Sequence, residues 1–85
     1  MKLFPTNSYL TAFNNYVQCI IEHHVFGTLT EFALQVNIKA NELIYRANIN
    51  RLVDLPILQT QIFEAGKGYI HKFLALRKSE GKLRI

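Results

Sequence analysis

The chain is short of the residues that cross-link proteins, punctuate them or carry them through membranes. Its 85 residues hold one cysteine, so no internal disulfide can form, and Cys19 suits a reducing compartment such as the cytoplasm. There is no tryptophan, and only two prolines and four glycines break the sequence. No apolar run approaches the roughly 20 residues that a membrane-crossing helix needs. Met1-Lys2-Leu3-Phe4 resembles the start of a signal peptide, but Pro5, Thr6, Asn7, Ser8, Asn14 and Asn15 deny it a continuous apolar region. Acidic residues are few and scattered: Glu22, Glu31, Glu42, Asp54, Glu64 and Glu80. No nucleophile stands beside a base, which argues against an enzyme. Cys19 and His23 have the i, i+4 spacing of two metal ligands on a helix, but no third or fourth ligand follows, so neither metal nor cofactor is expected. Gly66-Lys67-Gly68 lacks the following Ser or Thr of a phosphate loop.

What is abundant is apolar and basic. A hydrophobic content of 49% with 12% aromatics suits a folded chain, and the length suits one domain with a modest core. The net charge is +4 and the isoelectric point about 9.5. From Lys67 onward, Lys67, Lys72, Arg77, Lys78, Lys82 and Arg84 face only Glu80, a net +5, so everything before Lys67 sums to −1. Basic charge gathered at one end of a sequence fits a polyanionic partner.

Periodicity predicts an N-terminal helix over residues 8–26, with Asn7 or Ser8 as its cap and Leu10, Phe13, Val17, Ile20, Ile21 and His24 on one stripe. Gly27 then supplies the usual residue past a helix end. Thr28 and Glu31 have capping-box spacing at the next helix start. Phe32, Ala33 and Val36 form an apolar face, and Asn37, a residue that tolerates a left-handed backbone, reads as a turn. Ala40, Leu43, Ile44 and Ala47 then mark a second helix. Residues 28–50 thus read as a helix-turn-helix. Further on, Pro56 disfavours a helical residue before it, and Ile57–Phe63 suits a strand. Glu64–Gly68 reads as a turn with two glycines, and Tyr69–His71 as a returning strand, which makes 55–71 a hairpin. Residues 72–85 read as a basic C-terminal helix and tail.

These motifs resemble a known family. Ala33 at the helix crossing, Val36 and Ile38 around the turn and Leu43 as anchor match the helix-turn-helix pattern, with Asn37 where the family has glycine. Leu55-Pro56 and Gly66-Lys67-Gly68-Tyr69 are similar to the wing of small phage and plasmid excisionases and MerR-like regulators. The resemblance covers roughly Thr28 to Lys82. It implies a mainly α, winged helix-turn-helix fold with a small β-hairpin and an added N-terminal helix. It also implies a role as excisionase or transcriptional regulator of a mobile element, with double-stranded DNA and an integrase as partners and a homodimer or cooperative assembly on the DNA.

On that reading the helix from about Lys39 to Asn48 enters the major groove. Asn41 bonds adenine, Lys39 or Arg46 reaches guanine or phosphate, Tyr45 meets phosphate or a thymine methyl, and Glu42 accepts from cytosine. Lys67 sits at the wing tip, and Lys72, Arg77, Lys78, Lys82 and Arg84 neutralise phosphates. Ile49 falls on the same outward face, where it is accounted for only if the wing covers it. A rival reading from another class is a small helical protein that binds and inhibits a host protein complex, using Phe4, Tyr9, Phe13 and Tyr16 near the N-terminus.

Overall fold

A computed structural model describes residues 7–49 and 53–80, which form three helices: α1 (Asn7–Glu22), α2 (Leu29–Ile49) and α3 (Leu55–Glu80). Among these residues there is no β-strand, so the predicted hairpin and wing at 55–71 are replaced by helix. The wing's strands and its glycine turn all lie inside α3.

α1 forms on the predicted stripe, with Phe13, Val17, Ile20 and Ile21 buried. It ends four residues earlier than expected. Val25 N–H donates to Ile20 C=O at 3.1 Å and His24 N–H donates to Ile21 C=O at 3.2 Å, the paired bonds of a Schellman cap. The left-handed position is taken by His24, at φ 51°, and not by Gly27. Histidine is among the side chains that enter this region most readily.

α2 opens as predicted. The Thr28 hydroxyl accepts from Glu31 N–H at 3.2 Å and donates to the Glu31 carboxylate at 2.9 Å. The helix then runs unbroken through Asn37, so the helix-turn-helix is absent. The reason is one of magnitude. Asn37 is exposed, where asparagine costs at most about 0.7 kcal/mol of helix propensity. A break there would split the buried series Phe32, Val36, Ala40, Leu43 and Ala47, whose larger members contribute about 1.5–3 kcal/mol each.

α3 follows the same logic. Asp54 caps it: its carboxylate accepts from Ile57 N–H at 3.4 Å, and its carbonyl from Leu58 N–H at 3.1 Å. Pro56 falls in the first turn, where no amide donor is required. Two interior glycines cost roughly 2 kcal/mol relative to alanine. Leu58, Ile62 and Phe73, each at most 2% exposed, return about 5–9 kcal/mol by burial.

The contacts fix an up-down-up order. Asn14 meets Tyr69 and Gln18 meets Lys72, so α1 and α3 run parallel. Phe32 stacks on Phe73, ring centroids 4.4 Å apart, while Val36, four residues later, neighbours Gly66, so α2 runs antiparallel to α3. At the end where α1 leads into α2, Arg77 is buried, only 5% exposed. Its guanidinium donates to Phe26 C=O at 2.9 Å, lies 2.6 Å from His24 Nδ1 and sits over the Phe73 ring. An arginine always carries its protons, so His24 Nδ1 is the acceptor.

Candidate interaction surface

Among the described residues, those assigned to DNA fall into two groups, one on α2 and one on α3. On α2, Glu42 binds both neighbouring cations, Lys39 at 3.2 Å and Arg46 at 2.9 Å. Lys39 also lies over the Tyr16 ring at 5.1 Å. Asn41 and Tyr45 are exposed beside them. On α3, Lys67 is no wing tip: it sits mid-helix, 3.6 Å from Glu64. Lys72 donates to the Gln18 side chain at 3.0 Å. Arg77 is spent on the α1–α2 connection, so its guanidinium faces the interior. Lys78 is exposed, and Lys82 and Arg84 lie outside the described residues. With Val36 and Gly66 level, Arg46 stands about 15 Å along the bundle in one direction and Lys78 about 18 Å in the other.

The aromatics of the rival reading fare similarly. Phe13 is fully buried against Tyr69, Tyr9 and Tyr16 pack on the core, and Phe4 lies outside the described residues. The Tyr69 hydroxyl donates to Asn14 at 3.0 Å. Burial pushes its phenol above the ordinary value, and a hydrogen bond from Gln18 pulls in the other direction.

Sequence reasoning missed the apolar surface instead. An open groove of about 680 Å³ runs between α2 and α3. Phe13, Val36, Ala40, Ile62 and Gly66 floor it, and Leu34, Asn37, Phe63, Lys67 and Ile70 line its sides. Leu34 is 55% exposed and Phe63 44%. Leu34, Ile38, Tyr45 and Ile49 were readable as a second apolar period on α2. The assumed turn at Asn37 hid it by assigning Leu34 and Ile38 to different helices.

Among the described residues no three His, Cys, Asp or Glu side chains cluster to hold a metal, and Cys19 is exposed. No described helix is long and apolar enough to cross a membrane. Comparison with protein-family models, curated proteins and solved structures gave no match.

Proposed function

We propose that this chain is a protein-interaction module and that the α2–α3 groove receives the apolar face of a helix from another protein. The observation that carries the reading is the groove itself, apolar on its floor and bordered by the exposed Leu34 and Phe63. An amphipathic helix docks into such a channel with anchors at i, i+4 and i+7. Exposed apolar side chains gathered along one seam mark interaction sites more often than isolated ones do. The role of an excisionase or element-borne regulator depended on a wing and a turn, and it is not carried further.

A photo-crosslinking phenylalanine analogue at position 63, expressed in cells, tests the reading. One discrete adduct with a second protein is expected. Leu34→Asp should abolish it, and the same analogue at Ser79, exposed at the far end of α3, should not give it. No adduct at position 63, or the same adduct from both positions, would overturn the assignment.

A second reading, contact with a nucleic-acid backbone, is favoured by the exposed Lys72 and Lys78 on the later part of α3. Binding of this kind weakens with salt, by a slope of about −0.9 per phosphate neutralised. Replacing both lysines by Ala should flatten that slope by roughly two units. An unchanged slope, or no binding at low salt, removes this reading.

A further inference from the structure

The second apolar face of α2 shares Leu34 with the groove and otherwise lies apart from it. Leu34, Ile38, Tyr45 and Ile49 are 55%, 49%, 67% and 67% exposed. At 3.6 residues per turn they fall within an arc of about 60°, directly opposite the buried Val36, Leu43 and Ala47. The strip they form is about 22 Å long. A helix apolar on two opposite faces is patterned to be covered on both sides. The other described residues cover only one.

The spacing of the strip identifies its cover. Its four residues are symmetric about the point between Asn41 and Glu42. When α2 is laid antiparallel on a copy of itself about that point, Leu34 meets Ile49 of the partner subunit and Ile38 meets Tyr45 of the partner subunit. Every apolar residue of the strip thereby finds an apolar residue across a two-fold axis, the self-complementarity that a symmetric dimer requires. A parallel pairing would crowd two tyrosines into one layer and align the helix dipoles unfavourably. At the axis stand two Asn41 amides, each both donor and acceptor, and a buried amide of this kind sets register. Beside them each Glu42 already carries Lys39 and Arg46, so the edge presents both signs of charge. We propose that a second copy of this chain covers the outer face of α2, packed antiparallel with its axis at Asn41 and Glu42.

Four part-exposed side chains per copy form a strip smaller than the roughly 800 Å² that each partner buries in a standard interface. The dimer is therefore reversible and concentration-dependent. Sedimentation equilibrium from about 1 μM to 1 mM, the range in which such contacts titrate, should show monomer passing to dimer. Ile38→Glu and Tyr45→Glu change exposed side chains, so circular dichroism should be unchanged while self-association weakens by about tenfold or more. The register is read separately by disulfide trapping in a Cys19→Ser background. Asn41→Cys should link to its copy rapidly. Leu34→Cys, about 22 Å from its own counterpart in this arrangement, should not. A monomer at every concentration, or a dimer indifferent to Tyr45→Glu, overturns the proposal. So does equal trapping at positions 34 and 41. Loss of crosslinking at Phe63 would bear on the groove alone and leave the self-association measurements untouched.

Discussion

Gly66 and Gly68 give the sharpest test of the fold, because the helical and hairpin readings predict opposite signs. Both lie inside α3, and neither adopts a positive φ. An added methyl at Gly68 meets nothing within 4 Å. At Gly66 it would stand 3.5 Å from Val36 Cγ1 and 3.7 Å from Phe13 Cζ, ordinary contact distances that require no neighbour to shift. Each Gly→Ala change thus gains the helix-propensity difference of about 1 kcal/mol, mostly by removing conformational freedom from the unfolded chain. For a domain of this size, 1 kcal/mol moves Tm by about 4–8 °C. The two sites share no neighbour, so the double variant should gain about 2 kcal/mol. Chemical denaturation followed by circular dichroism measures this directly, with the midpoint rising at a constant m-value. In a hairpin, with these glycines in left-handed positions, the same changes would each cost about 1–2 kcal/mol. A lower midpoint for Gly68→Ala would refute the continuous helix.

Other expectations concern the joints of the bundle. Arg77→Ala should lower the melting temperature sharply, since hydrogen bonds to charged groups are worth about 1.5–3 kcal/mol each and its cation–π contact is lost as well; Arg77→Lys, lacking the planar fork, should recover only part in a thermal melt. Thr28→Ala and Asp54→Ala should each cost about 1 kcal/mol in a urea titration, as lost helix caps do, and a change within error would show the caps to be unimportant. Tyr69 keeps its proton longer when folded than when unfolded, so stability should be intact below pH about 10 and fall as pH rises beyond it. Tyr69→Phe should flatten that alkaline limb in a series of melts against pH, at the cost of the bond to Asn14.

The parts of the fold legible in the sequence are those where a local rule and the packing agree. The apolar stripe of α1 and the Thr28–Glu31 cap are such places. The failures share one cause, residues with strong local preferences placed where they cost little. Asn37 looks like a turn, yet on the exposed side of α2 it costs only tenths of a kcal/mol. Gly66 and Gly68 look like a hairpin, yet Leu58, Ile62, Tyr69 and Phe73 around them keep a period of 3.6, and burial decided. Pro56 looked like an interruption because Asp54 was not read as the cap that precedes it. The surface was less legible still. Lys39, Arg46 and Lys67 are visible as charges, but their pairing with Glu42 and Glu64 is a matter of helical neighbours that a turn in the wrong place conceals. Arg77 gave no sign of burial, because a basic residue in a basic stretch reads as solvated until the Phe26 carbonyl that it holds has been placed.

The parallel pairing of α1 with α3 has a consequence in time. Asn14 and Tyr69 are separated by 55 residues, and Gln18 and Lys72 by 54. On a ribosome adding roughly 5–20 residues per second, about 3–11 s pass between the making of α1 and the making of the residues it leans on. Until α3 is made, Phe13, Val17, Ile20 and Ile21 lack its cover, and α2 itself is complete only at Ile49. The nascent chain therefore spends seconds with the apolar side of α1 open, and it is in that state, more than in the finished bundle, that a chaperone would meet it.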